Sequence, residues 1–190
     1  MKRQTQTKAK IKAAFTQLLE SKGFDHLTVS DIIRLAQINR STFYKHYLDK
    51  FDLRDQLIAS MVEQLMAILT EAACQPQNPD QPSASLSQAI SQILTYLKED
   101  QPFIQALVLS NQASFLTELL RTIINQFYHQ IQDWDDTDHI APQITNDYGK
   151  EILLAGIVSI FLLWVKKGMV DPIDTITQLI VRQVNQDYEK

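Results

Sequence analysis

The chain has 190 residues, of which 45% are hydrophobic and 21% charged, enough apolar material for one large domain or two smaller ones. Only 4 Gly and 6 Pro disfavour a turn-rich β fold, and the single cysteine, Cys74, excludes an internal disulfide framework and a cysteine-rich zinc site. The formal net charge of −4 hides an asymmetry: residues 1–55 carry 11 basic and 6 acidic side chains, net +5, while the remainder carries 7 and 16, net −9.

The opening MKRQTQTKAKIK has no apolar stretch after its charges, so no signal peptide is expected. Residues 6–22 predict a first helix, with Ile11, Ala14, Phe15, Leu18 and Leu19 at helical spacing. Gly23 is its stop signal, after which Phe24 and Leu27 turn into the core. Thr28 is a good N-cap for a second helix, and Asp31 three residues on completes a capping box with Asp in the usual Glu position. Val29, Ile32, Ile33 and Ala36 form its buried stripe, and Gln37-Ile38-Asn39 is the turn. Asn39 N-caps a third helix over 40–47, which Phe43 and Tyr47 hold to the core. Asp49 caps a fourth helix whose apolar positions run from Phe51 to about Ala73.

The segment QPQNPDQPS, 75–83, breaks the chain with prolines. Beyond it the pattern predicts helix five over 84–99, helix six over 102–109 with Pro102 in its first turn, and helix seven over 113–132. An acidic loop, WDDTDHIAP at 134–142, precedes helix eight over 143–167, which Gly168 ends. Asp171-Pro172 opens helix nine, running to 187. The expected fold is all-α, with about nine helices, no strand and no internal repeat. The expected domains are a three-helix helix-turn-helix domain at 1–52 and a helical regulatory and dimerisation domain at 53–190. The most apolar run, ILLAGIVSIFLLWV at 152–165, is shorter than the roughly 18 residues of a membrane span, so a cytoplasmic protein is expected with no membrane contact.

Two short helices joined by a tight turn are the layout whose second helix enters the DNA major groove. Such reading needs donors and acceptors on one exposed face and positive charge nearby for phosphates. Around Phe43 the third helix offers Arg40, Ser41, Thr42, Tyr44, Lys45 and His46. Arg40 and Lys45 suit a guanine edge or a phosphate, and Thr42 offers a hydroxyl and a methyl. Tyr44 and His46 suit the sugar-phosphate backbone. Thr28 and Lys50 start helices two and four, and helix N-termini favour phosphate, so these two are expected to flank the groove. Ser30 approaches from helix two. The alternative, an ordinary solvated helix face, is disfavoured because the basic block coincides with this motif.

Residues 8–58 resemble the DNA-binding domain of the TetR-type transcriptional regulators. The leading amphipathic helix, LTVSDII at 27–33, INRSTFYKHY at 38–47 and DKFDL at 49–53 carry the resemblance. It implies that Tyr44, His46 and Lys50 grip phosphates while Ser30, Arg40, Ser41, Thr42 and Lys45 face bases. Two departures stand out: Gln37 where the family often has glycine in the turn, and Ile33 where it often has a small alanine.

Major-groove readers usually need two half-sites, so a symmetric homodimer is expected on double-stranded DNA. Helices eight and nine, 143–187, are the expected interface, because the run 152–165 is apolar nearly all round and must be covered on most sides. Ala155, Gly156 and Ser159 would let partner helices approach closely. The resemblance implies the same two helices as a four-helix dimer bundle. It also implies an inducer pocket for a small apolar or amphipathic ligand among helices four to seven. Candidate pocket residues are Tyr96, Phe103, Phe115, Phe127 and His129, with Asn111, Gln112 and Trp164 as further polar partners. For each apolar one the ordinary reading is core. No metal-ligand spacing, nucleophile elbow, phosphate loop or carboxylate pair is present, so no enzyme and no cofactor are expected. The expected function is a ligand-controlled regulator, a repressor on a palindromic operator. The alternative is a co-regulator working through a protein partner. GIVSIFLLWVKKGMVDP resembles a C-terminal helix pair in a branch of the family that includes a co-activator of dihydroxyacetone-kinase genes.

Overall fold

The computed structural model describes residues 2–74, 82–110, 117–125 and 147–185. Its helices are α1 (Lys2–His26), α2 (Val29–Ala36), α3 (Arg40–Tyr44), α4 (Lys50–Cys74), α5 (Pro82–Glu99), α6 (Gln101–Leu109), α7 (117–125), α8 (Asp147–Lys166) and α9 (Ile173–Asn185). The architecture is all-α, with no strand among the described residues.

The chain forms two compact units, Met1–Glu63 with Pro102–Ser114, and Gln64–Gln101 with Phe115–Lys190. Helix α4 begins in the first and ends in the second. Helix α6, which a boundary at 52/53 would give to the second domain, contributes to the first. Phe103, Ile104, Ala106, Leu107 and Val108 are all buried, so most of this short helix is core and only the Pro102, Gln105 and Leu109 stripe reaches solvent. The Phe103 ring lies 6.4 Å from that of Phe15, and the Lys12 ammonium sits 5.0 Å over it.

In the first unit, Ile11, Ala14, Phe15, Leu18 and Leu19 form the buried stripe of α1. Gly23, at φ 74 and ψ 162, breaks the helix where only glycine adopts the backbone without strain. The break turns Phe24 and Leu27 inward, and the Phe24 ring meets Phe15 edge-on at 6.3 Å. The Thr28 box forms in full: its hydroxyl accepts from the Asp31 N–H at 3.2 Å, and the Asp31 carboxylate accepts from the Thr28 N–H at 3.1 Å. At the other end, Gln37 takes the left-handed conformation, φ 53 and ψ 48. Its N–H and that of Ile38 donate to the Arg34 and Ile33 carbonyls, a Schellman closure that normally uses glycine.

Helix α3 ends at Tyr44, three residues short of expectation. The Phe43 carbonyl accepts from both His46 and Tyr47, so the chain tightens into a turn that still buries Phe43 and Tyr47. Asn39 stands at the N-cap position, but its side chain makes no cap bond. Its backbone carbonyl accepts from Thr42 and Phe43 instead. Asp49 caps α4 as expected, its carboxylate accepting from the Phe51 and Asp52 N–H groups at 2.8 Å.

In the second unit α9 packs against α5 and α8. Gly168, at φ 82, ends α8, and the Met169 N–H closes onto the Trp164 carbonyl at 2.9 Å. Gly156 is spent within the chain: a Cβ there would lie 2.7 Å from Nε2 of Gln183 on α9.

Candidate nucleic-acid interface

The helix-turn-helix presents an exposed surface around buried Phe43 and Tyr47. Arg40, Ser41, Tyr44 and Lys45 are exposed, while Thr42 and His46 are half-buried. Tyr44 stands edge-on to Phe43 at 5.5 Å, and the Arg40 guanidinium lies 5.5 Å over the Tyr44 ring. An anchored aromatic thus gives Arg40 a preferred resting place on an otherwise open face. Ser30 is exposed on α2, whose N-terminus lies at Thr28. The Thr28 hydroxyl is committed to Asp31, donating to it at 2.8 Å.

The positive block is partly neutralised by its own carboxylates. Asp31 takes Lys22 at 3.0 Å and Arg34 at 2.7 Å. The Lys22 hydrogen bond, aided by Thr28, pulls its pKa from 3.8 to about 2. Arg54 pairs with Asp55 at 2.8 Å. The Leu48 N–H and Gln56 hold Asp52 below the usual carboxylate range. Of these pairings only Lys22–Asp31 spans more than a turn of chain, and spacing alone does not announce it.

Lys50 is the largest departure from a simple surface. Its ammonium donates to the carbonyls of Phe24 (2.9 Å), Asp25 (3.1 Å) and Leu27 (3.1 Å), across 23 to 26 residues of sequence.

The candidate pocket residues do not share one unit. Tyr96, half-buried on α5, belongs to the second, where burial, then Asp100 and Glu99, push its phenol pKa up. Phe103 belongs to the first. Phe115, Phe127, His129, Asn111 and Gln112 lie outside the described residues. Trp164, expected as a ligand partner, is fully buried and donates its indole N–H to the Asp171 carbonyl at 3.0 Å, which leaves it no donor to offer. Among the described residues no group of three His, Cys, Asp or Glu could hold a metal, and no helix is long and apolar enough to cross a membrane.

Residues 11–57 match the family described as "Bacterial regulatory proteins, tetR family", and residues 84–186, more than half of the chain, match "Transcriptional regulator C-terminal region". An uncharacterized HTH-type transcriptional regulator, YxbF of Bacillus subtilis, is 33% identical over 64 residues, 34% of this chain and only 17% of that protein. The crystal structure of a TetR transcriptional regulator from Streptococcus agalactiae shares the fold at TM-score 0.65 and 24% identity, covering 97% of both chains. The dihydroxyacetone kinase operon activator DhaS does so at TM-score 0.55 and 19% identity, covering 94% of this chain and 93% of that one. The chain belongs to the TetR family of transcriptional regulators, which act by binding DNA and not by catalysis.

Proposed function

We propose that the protein binds a palindromic operator as a homodimer and represses transcription until a small apolar or amphipathic ligand releases it. The observation that carries this reading is the exposed set Arg40, Ser41, Tyr44 and Lys45 on a helix whose frame is capped on both sides. Arg40, Ser41, Thr42, Lys45 and Ser30 face bases. Tyr44, His46 and the first turn of α2 meet phosphates. Two copies of α3 about 34–36 Å apart fit successive major grooves.

The exposed apolar residues of α8 and α9 support the dimer. Ile152 and Leu163 lie on one stripe of α8, and Leu179 on α9, at 51%, 57% and 43% exposure. A matching stripe on a second copy would bury them. In the second unit the buried Asn125 Oδ1 and Thr177 Oγ1 have no hydrogen-bond partner among the described residues. A ligand that prefers one state of α4 shifts the population between DNA-competent and incompetent dimers.

The alternative reading is a co-regulator working through a protein partner, on the fold shared with the dihydroxyacetone kinase operon activator DhaS. Selection of bound duplexes from a random pool separates the two. The first reading gives an enriched inverted repeat; the second gives none and a stable complex with a protein partner.

A further inference from the structure

We propose that Lys50 is a positioning residue of the helix-turn-helix and not one of its phosphate contacts. An ammonium has three N–H donors in fixed tetrahedral directions and no acceptor. All three point at carbonyls: Phe24, Asp25 and Leu27, at 2.9, 3.1 and 3.1 Å. The three oxygens converge because Gly23 breaks α1 and folds 24–27 back, with the Leu27 N–H donating to the Gly23 carbonyl at 3.3 Å. The same ammonium lies 5.0 Å from the Phe24 ring centre and 5.5 Å from that of Phe51, whose rings meet edge-on at 5.3 Å. Arg54 closes the cluster, 4.8 Å over Phe24.

The consequence is geometric. Lys50 is the first residue of α4, and Leu27 directly precedes the Thr28 cap of α2. One side chain therefore fixes the start of α4 against the start of α2, the two helix N-termini that flank α3. A phosphate drawn to Lys50 would have to displace one of these three carbonyls. The charge counts toward the +5 of the basic block, yet it is spent inside the fold.

The inference rests on the DNA-binding reading, and the test keeps the two apart. Lys50→Met removes the charge. Lys50→Arg keeps it, but a planar guanidinium fork cannot aim three N–H groups at three converging oxygens, whereas it grips a phosphate at least as well as lysine. Melting temperature and affinity for a duplex selected from a random pool are measured at several salt concentrations, well below the melting point of every variant. Positioning predicts that both variants melt about 5 °C lower. It also predicts that both bind about tenfold more weakly from misplaced helix ends, with the logarithmic salt slope of the wild type. A purely structural role would leave the affinity of fully folded protein unchanged and overturns the proposal. So does a slope about 0.9 shallower in Lys50→Met, restored by Lys50→Arg, which is the signature of one lost phosphate contact. If the wild type binds no duplex, the DNA reading fails, and unchanged melting of the two variants still overturns the joint.

Discussion

Helices α2 and α8 show two ways of specifying a helix. The first has 8 residues, too few to be stable alone, and both its ends are chemically closed: the Thr28–Asp31 box in front and the Gln37 turn behind. It buries only Ile32 and Ala36 fully and leaves its other face to solvent. The second has 20 residues, and its Leu153, Leu154, Val158, Phe161, Trp164 and Val165 are buried while Ile152 and Leu163 stay exposed. A capped amphipathic helix is complete in one chain. A helix apolar nearly all round is complete only when something covers its remaining stripe. The difference sets a helix closed by its own caps in the first unit against one with an exposed apolar stripe in the second.

Substitutions sharpen that contrast, beginning with the largest effect. Phe43→Ala empties the fully buried centre of the DNA-binding unit and should cost about 3–5 kcal/mol in denaturant unfolding. A cost under 1 kcal/mol would mean that this core is not the frame of the reading face. Leu163→Glu should leave helix content intact while shifting the protein from dimer to monomer in sedimentation at micromolar concentration, because it places charge in the exposed apolar stripe. An unchanged dimer would remove α8 from the interface.

A third prediction uses acid. Asp31 has a folded pKa of about 2 against an ordinary 3.8, so its stabilisation is full above 3.8 and is lost as pH falls through 2. The stability gap between wild type and Asp31→Asn should therefore shrink as pH falls from about 5 to about 2. A pH-independent gap would show that the box acts through neutral hydrogen bonds alone. The smallest effect is at the turn. Gln37→Gly removes a left-handed strain at the expense of unfolded-chain entropy and should raise stability by about 0.5 kcal/mol, read from the shift in the unfolding midpoint.

Local chemistry was readable in advance where cause and effect lie within a turn or two. The Thr28–Asp31 box, the Asp49 cap and the Gly23 and Gly168 stops all follow from residues within a turn or two. Long-range partners were not. Nothing near Lys50 in sequence announces that its donors go to 24–27, because that depends on the fold-back at Gly23 packing beside α4. Helix α6 reads as an ordinary second-domain helix until Phe103 is seen against Phe15. Trp164 reads as a possible ligand group until its indole N–H is found on Asp171. The length of α3 failed for a subtler reason, since Phe43 and Tyr47 satisfy a helical period and a tightened turn equally well.

The central claim is that the Arg40–His46 face reads DNA sequence. The most direct test measures binding of wild type and Arg40→Ala to the selected duplex and to single base-pair variants of it, at two salt concentrations. The account predicts a loss of about 1–3 kcal/mol for Arg40→Ala, with discrimination flattened at one symmetry-related pair of positions and retained elsewhere. An Arg40→Ala protein that keeps the full wild-type preference at every position would contradict it.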